Sequence, residues 1–410
     1  MFEKAYDVAV CGGGIAGTAA ALAAARRGQK TALIEKTIVT GGLATAGLIF
    51  IYEPLCDGNG TQVTFGIAEE LLLAGMKYGP GDIPDWRKAK GAKEAGRYRI
   101  IFSPASLVIA LDELLVQAGV DIWYDTLICA ANVRDKRLTA IEVENKSGRG
   151  RITAKCFVDA TGDADIAHQA GLTCPTAQNK LAIWILEHTA GKNWPHEKSI
   201  ENIAMYAGCS AADTPRGPLG IDGSEVSRFV LDGRAKYRDR LKKEYGTGQK
   251  DRKSLFPLTL PSMAQFRTTR QIPAQYRLRD GQDWTRFEDS IGMAGDWRKP
   301  GYVWEIPYRS MLPVGLKNLI AAGRCTAAET DAWQITRVIP TAALTGEAAG
   351  TAAALAVVDG ISPDEIPAIK LQDALRRTGN KIHLEDVGLV PKALNLLTAA
   401  PPSRGSHRLG

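Results

Sequence analysis

The stretch DVAVCGGGIAGTAAALAAARRGQKTALIEK, residues 7–36, decides the fold of this 410-residue chain. A short β-branched run over residues 6–11 predicts a strand. The alanine-rich run over residues 15–27 predicts a helix that ends at Gly28. A second strand is predicted over residues 31–35. Strand, helix and strand form a βαβ unit with parallel strands, so the chain is predicted to have an α/β fold.

The glycine cluster between the first strand and the helix matches the pattern GxGxxG. Gly12 allows a tight turn, Gly14 lets the backbone approach a pyrophosphate, and Gly17 lets helix and strand pack closely. Ile15 and Ala16 open the helix, whose N-terminal N–H groups can bind phosphate. The context of strand and helix therefore predicts a dinucleotide site rather than a mere packing turn.

Two charged residues end the second strand. Glu35 lies where a carboxylate can accept hydrogen bonds from ribose hydroxyls, and its charge would repel a 2′-phosphate. FAD and NAD are thus favoured over NADP. Lys36 either contacts the adenosine or is simply solvated.

Three downstream segments favour FAD over NAD. FVDATGDAD (residues 157–165) is a strand running into a small-residue turn, and NLIAAGRC (residues 318–325) is an apolar strand that ends at glycine. The third is a helix after Pro340, whose N-terminus at Thr341 and Ala342 could stabilise negative charge on a flavin ring. The cofactor residues predicted from the first two segments are Ala160, Thr161, Gly162, Asp163 and Gly323.

The rest of the chain predicts an elaborated α/β architecture. A helix is expected over residues 106–118, and the alternating segments after it predict a small antiparallel meander that returns to the parallel sheet at residues 156–160. Residues 172–300 are richer in aromatic residues, proline and charge. We therefore predict a discontinuous FAD-binding domain (residues 1–171 and 301–395), an inserted α+β substrate or cap domain (172–300) and a flexible tail (396–410).

Composition excludes several classes of protein. The chain is 45% hydrophobic and 23% charged, with a formal net charge of +6. Its basic residues are scattered, and the densest cluster, residues 233–253, also carries acids, so no nucleic-acid partner is expected. The seven cysteines contain no CxxC pair, which argues against a zinc site and a redox dithiol. A reduced, cytoplasmic protein without a membrane span is expected, and the composition is compatible with a homo-oligomer.

In combination, these motifs resemble the FAD-dependent oxidoreductase family of two-domain, glutathione-reductase-like flavoproteins. The segments that carry the resemblance are CGGGIAG…ALIEK, GGLATAGL, GIAEEL, KCFVDATGDADIAHQAG and the run from IPYRSMLPVG to AAALA, over most of residues 1–171 and 301–360. The resemblance implies a Rossmann-like domain that binds FAD. It also implies that the GGLATAGL loop, with Gly41, Gly42 and Thr45, lines the cofactor, together with Arg324 and Cys325. Residues 172–300 match nothing, so substrate identity stays open.

Two residues are the candidates for chemistry near the cofactor. Arg337 precedes the helix that begins at Thr341, and in related fumarate-reductase-like flavoproteins an arginine in this context holds a substrate carboxylate; the alternative is a structural salt bridge. Tyr308 could form a pocket wall or could simply pack. Arg267 and Arg270 could be a carboxylate clamp or an ordinary surface pair. No metal site is expected.

The sequence therefore predicts hydride transfer between a small polar organic substrate and the flavin N5. No second GxGxxG follows a strand, so oxygen, a quinone or a protein carrier is expected to accept the electrons. Two alternatives remain open. One is an RNA-modifying flavoprotein that uses residues 234–253, and the other is an NAD-binding protein without flavin.

Overall fold

The computed structural model describes residues 1–83, 85, 99–179, 183–193, 201–207 and 217–392, with the backbone alone at 191–193 and 201–207. The predicted tail lies outside the described residues. The strands are β1 (Phe2–Cys11), β2 (Thr31–Ile34), β3 (Ile51–Tyr52), β4 (Ile100–Ile101), β5 (Asp121–Trp123), β6 (Leu127–Arg134), β7 (Arg137–Asn145), β8 (Gly148–Asp159), β9 (Trp184–Asn193), β10 (Glu201–Ala207), β11 (Leu255–Thr259), β12 (Ser290–Gly295), β13 (Val303–Pro307) and β14 (Leu319–Ala321). The α-helices are α1 (Ile15–Ala25), α2 (Ile67–Met76), α3 (Pro104–Gln117), α4 (Asp165–Gln169), α5 (Gly223–Gly246), α6 (Thr330–Thr336), α7 (Ile339–Asp359) and α8 (Ala368–Arg376).

The central sheet is built around the predicted βαβ unit. Its strand order is β5-β2-β1-β8-β7-β6, and β14 also pairs with β8. Strands β5, β2, β1, β8 and β14 run parallel, so their carboxyl ends meet at one edge. In open α/β sheets, ligands bind at this edge. The α/β class and the parallel sheet are confirmed.

Strand β8 joins the parallel sheet to the meander. Its first half pairs antiparallel with β7, where Ile152 faces Ile141, and its second half pairs parallel with β14, where Phe157 faces Leu319. The antiparallel meander is therefore β6, β7 and β8. The sequence analysis was wrong about residues 121–123, which form β5 beside β2 instead of opening the meander. Three residues carry too little periodicity to show which strand they pair with.

Helices α1 and α7 pack against each other at backbone distance. A Cβ at Gly346 would lie 2.2 Å from the Ala16 carbonyl oxygen, and one at Gly350 would lie 2.1 Å from that of Ala20. Because both helices are built from alanine, glycine and threonine, they fit together beneath the sheet. Helix α7 is long and apolar enough to cross a membrane by length and composition, yet most of it is buried in the core.

Residues 172–300 contain an antiparallel sheet in the order β10-β9-β11 and the long helix α5. This α+β content agrees with the prediction. Small apolar clusters hold it together: one contains Phe229 and Phe266, and another contains Ile183, Ile185 and Tyr237.

The domain division itself remains a prediction. Strand β12, which the division at residue 300 assigns to the cap, pairs with β13. Ile291 of β12 belongs to the same buried cluster as Ile306 of β13 and Leu344 of α7. The core of the larger unit therefore extends N-terminal of residue 300.

Candidate dinucleotide site

A cavity opens at the carboxyl edge of the parallel sheet, where strands β1, β2, β8 and β14 end. It brings together segments that are more than 300 residues apart in the chain. The predicted residues that line it are Gly12, Gly14, Ile15, Ala16, Glu35, Lys36, Gly41, Gly42, Ala160, Thr161, Gly162, Gly323, Arg324, Arg337 and Ala342.

The glycine turn after β1 forms one wall of the cavity. Gly12 has a φ of +101°, and a Cβ there would lie 2.6 Å from the Ala160 carbonyl oxygen. A Cβ at Gly17 would lie 1.8 Å from the Gly12 carbonyl oxygen, whereas one at Gly14 would meet no atom within 4 Å. Gly17 therefore serves packing and does not line the cavity. Gly14 leaves open space where a ligand can approach the backbone.

Helix α1 begins at Ile15 beside this open space. No side chain caps the helix, so its first-turn N–H groups remain available to a ligand. These groups and the positive end of the helix dipole favour a phosphate. The turn thus has the shape and the donors that a pyrophosphate needs.

Glu35 is held at the far side of the turn. The Gly13 N–H donates to its Oε2 (2.7 Å), while the N–H and hydroxyl of Thr37 donate to its Oε1 (2.9 Å each). The side chain is buried yet still lines the cavity. Each carboxylate oxygen can accept more than one hydrogen bond, so this fixed carboxylate can also receive ribose hydroxyls.

The loop after β2 closes against the glycine turn. The Gly41 N–H donates to the Gly13 carbonyl (2.8 Å), and Gly14 and Gly41 form an isolated β-bridge. The predicted Thr45 does not line the cavity. Its hydroxyl is buried and donates to the Thr40 carbonyl, which fixes the fold of the loop.

The turn after β8 depends on Asp159, which sequence reasoning missed. This buried carboxylate accepts hydrogen bonds from the N–H (3.2 Å) and hydroxyl (2.7 Å) of Thr161 and from the Ala167 N–H (3.0 Å). Burial raises the pKa of Asp159 to about 6. The predicted Asp163 lies behind the cavity wall, where it accepts from Arg324 (2.5 Å) and Thr269 (2.6 Å). Asp159 could have been found only through the three-dimensional packing of the turn.

The segment after β14 differs in detail from the prediction. The Gly323 N–H donates to the Thr345 hydroxyl (2.9 Å), so it is not available to a phosphate or ribitol. Cys325, predicted as a cofactor residue, is buried and does not line the cavity, and burial raises the pKa of its thiol well above the ordinary value. Arg324 lines the cavity, and its Nε donates to the Gly162 carbonyl (2.7 Å).

Helix α7 starts at Ile339, two residues before the predicted start, because Val338 is extended and Pro340 fits the first helical turn. No side chain caps this N-terminus. Ile339 and Ala342 line the cavity, whereas Pro340 and Thr341 are buried behind it. We therefore assign the first turn of this helix as a whole to the site, rather than its predicted first residues.

Of the two candidates for chemistry, the structure places only Arg337 at the cavity. Its Nε (3.0 Å) and Nη2 (2.5 Å) donate to Gln334 Oε1. Tyr308 is buried in the core, and its hydroxyl donates to the Pro363 carbonyl (3.0 Å). Tyr308 therefore does not line the cavity, and the structure does not support its predicted catalytic role.

The cavity also has walls that the sequence did not suggest. Leu127 and Ile128 begin β6 and Thr126 directly precedes it, whereas Met263 comes from the predicted cap. They lie in segments without a motif, so no signal in the sequence distinguishes them. The remaining lining residues outside the predicted set are Ile34, Leu43, Ala44, Asp165, Ile166, Gln169, Ala322 and Ile339.

The donor set fits a dinucleotide with two phosphates and an adenosine ribose. Free backbone N–H groups lie at the start of α1, and the fixed carboxylate of Glu35 follows further along the chain. Apolar side chains line the cavity between these groups. Among the described residues, no group of three His, Cys, Asp or Glu side chains could hold a metal ion. The helix N-terminus and the fixed Glu35 carboxylate are the groups that can bind a nucleotide.

Comparison with known proteins agrees with this geometry. The family model for FAD dependent oxidoreductases matches residues 7–183 and 187–375. No curated protein matches the chain. Among solved structures, the chain is similar to a geranylgeranyl bacteriochlorophyll reductase-like protein from Thermoplasma acidophilum (16% identity, 94% of this chain and 86% of that chain, TM-score 0.50). It is also similar to the p-nitrophenol 4-monooxygenase of Pseudomonas putida (14% identity, 92% and 84%, TM-score 0.47). At 16% identity, the likeness to the first of these structures concerns the fold alone.

Proposed function

The chain belongs to the FAD dependent oxidoreductase family, and on this premise we propose that it transfers a hydride between a small polar organic substrate and the flavin N5. The observation that carries the proposal is the position of Arg337. This guanidinium lines the same cavity as the glycine turn that fits a pyrophosphate. A cation at the cofactor cavity can orient a substrate that carries a negatively charged or oxygenated group.

When bound, FAD supplies the hydride chemistry, and the protein supplies position and electrostatics. The uncapped first turn of α7 directs a positive partial charge toward the cavity, next to Arg337. Together they favour negative charge at this end of the site. Ile339 and Met263 add apolar surface to the lining of the cavity.

A donor screen tests the proposal. FAD-loaded protein is mixed without oxygen with amino acids, hydroxy acids, sugars and steroids, and the loss of flavin absorbance is followed. At least one donor is expected to bleach the flavin, and oxygen, a quinone or a protein carrier is then tested for its recovery. A flavin that no class of donor bleaches would contradict hydride transfer from a small organic substrate.

The same assay tests Arg337. We expect Arg337→Ala to raise KM or lower kcat for the donor by about tenfold or more, as the loss of a charge-assisted contact does. Arg279→Ala is the matched control, because Arg279 is exposed and lies outside the cavity lining. If the Arg337 variant and the control have equal kinetics, Arg337 does not orient the substrate.

A further inference from the structure

Arg337 lies within electrostatic range of three other arginines, and two of these four residues, Arg324 and Arg337, line the cavity. Arg337 interacts with the like charges of Arg267, Arg324 and Arg298. Two of the four are neutralised by carboxylates in ion pairs: Arg324 by Asp163 (2.5 Å), and Arg298 by Asp331 (2.5 Å) and Asp296 (3.1 Å). The cluster therefore divides into two arginines with acidic partners and two without.

Arg337 and Arg267 are the two arginines without an acidic partner. Arg337 bonds to the neutral amide of Gln334, and Glu53 acts on it only at longer range, without an ion pair between them. Arg267 uses its backbone N–H to donate to Asn179 Oδ1 (2.7 Å). Within the described part of the chain, its guanidinium makes no hydrogen bond or ion pair. Both side chains are half-buried.

Arg267 belongs to a segment, residues 261–269, that is fixed against the cofactor cavity. The Ser262 N–H donates to the Ala46 carbonyl (2.9 Å), and the Gln265 side chain donates to the Gly47 carbonyl (2.5 Å), which ties the segment to the loop after β2. Its Phe266 carbonyl accepts a hydrogen bond from Arg324, and its Met263 lines the cavity. The neighbouring backbone thus holds Arg267 in place, although its own side chain is unpaired.

Two half-buried cations without counter-ions are costly to hold close together. Burial and then the charge of Arg267 lower the pKa of Arg337 below its ordinary value, which is the sign of this cost. A guanidinium nevertheless stays charged in the neutral range. An anion between the two groups would remove both the repulsion and the unmet hydrogen bonds. Carboxylates suit guanidinium groups well because the two planar groups can form paired hydrogen bonds.

We infer that Arg267 and Arg337 together bind a carboxylate of the substrate, which makes the substrate an organic acid. The inference rests on the proposed function and narrows its substrate class. It assigns a substrate contact to the segment 261–269 of the predicted cap. By contrast, Arg270 forms an ion pair with Asp165 (3.0 Å) and therefore has a structural role. The sequence had suggested Arg270 as a partner of Arg267.

The test measures binding rather than turnover. FAD-loaded protein is titrated with acetate, succinate and benzoate and, separately, with the corresponding amides, and the visible difference spectrum of the flavin gives Kd. The proteins compared are wild type, Arg267→Gln, Arg267→Lys and the exposed control Arg279→Gln. Affinity for FAD and the midpoint of thermal unfolding are measured for each, so that misfolded variants are recognised.

We expect at least one carboxylate, and none of the amides, to perturb the wild-type spectrum. Arg267→Gln should raise its Kd about tenfold or more, Arg267→Lys should restore part of the affinity, and the control should stay within about twofold of wild type. Affinity for FAD should be unchanged. Equal binding of acids and amides, or an unchanged Kd in Arg267→Gln, would overturn the inference. A selective loss of FAD affinity in Arg267→Gln would also overturn the inference, because Arg267 would then bind the cofactor phosphates.

The outcomes separate this inference from the proposed function. A flavin bleached only by neutral donors would remove the carboxylate site and leave hydride transfer standing. If carboxylates perturb the flavin spectrum but no donor bleaches the flavin, the carboxylate site stands and hydride transfer is removed.

Discussion

The cofactor-binding part of the molecule and the unit of β9, β10, β11 and α5 bury their acids in opposite ways. Asp159, at the end of β8, is fully buried and is satisfied by two N–H groups and one hydroxyl. Glu187, on β9, is buried against a cation, with Arg240 donating to its Oε2 (2.6 Å) and Oε1 (3.2 Å). Backbone N–H groups and a hydroxyl thus satisfy the buried acid of the first region, whereas a charged side chain neutralises that of the second.

This contrast explains where specificity is expected. A turn made of backbone groups can hold a cofactor whose phosphates are constant, and its glycine positions allow little change. A region held together by side chains can vary in charge and shape without loss of the sheet. Arg267 lies where the two regions meet, which suits a residue that selects the substrate.

The largest effect is expected from two glycines three residues apart in the cofactor turn. Gly17→Ala should destabilise the protein without FAD by about 3 kcal/mol or more, because its Cβ would overlap the Gly12 carbonyl oxygen. Gly14→Ala should leave that stability unchanged, since its Cβ meets no atom, but should weaken FAD binding about 100-fold, or about 2.7 kcal/mol. Chemical unfolding of the FAD-free proteins and FAD titration measure the two quantities.

Each glycine variant serves as the control for the other. If both variants lose stability equally, or if Gly14→Ala keeps its affinity for FAD, the division between packing and ligand approach in this turn is wrong.

A smaller effect is expected from the pH dependence of Asp159. Because the folded protein raises its pKa from 3.8 to about 6, the folded state binds the proton more tightly than the unfolded state. Its contribution to stability is therefore greatest at low pH and is lost as pH rises through about 6, a change of about 3 kcal/mol.

The difference in unfolding free energy between wild type and Asp159→Asn should follow this curve between pH 4 and 8. Glu187→Gln provides a comparison with an acid that is held by a cation. A flat difference for Asp159→Asn would mean that the hydrogen bonds of the turn fully offset its burial.

The smallest effect is expected on α5, where the alternative of an RNA-modifying flavoprotein would place its contacts. Helix α5 mixes basic residues with acids, and Lys242 and Lys243 can be replaced by glutamine on its partly exposed surface. We expect FAD binding and donor oxidation to stay within about twofold of wild type. RNA binding by the wild type should be absent or insensitive to salt. Tight, strongly salt-dependent RNA binding that the lysine variants lose would favour the alternative.

The sequence predicts the cofactor region well for a physical reason. Its parallel strands alternate with helices, and the turns that line the cavity are marked by glycines, so local pattern is sufficient to place them. It predicts the inner wall of the cavity poorly. Thr126 and Met263 reach the cavity through long-range packing, Tyr308 is covered by distant Pro363, and Gly323 gives its N–H to Thr345 of α7.

The partners and the cytoplasmic location that the composition suggests remain predictions. They depend on surfaces and on other molecules, and a pattern of residues within one chain does not encode them locally.

The most direct test of the account is the visible absorption spectrum of the purified protein after incubation with FAD and removal of the unbound cofactor. The account predicts a yellow protein that holds one FAD per chain and whose flavin spectrum shifts when a small carboxylate is added. A colourless protein that retains no FAD would contradict it.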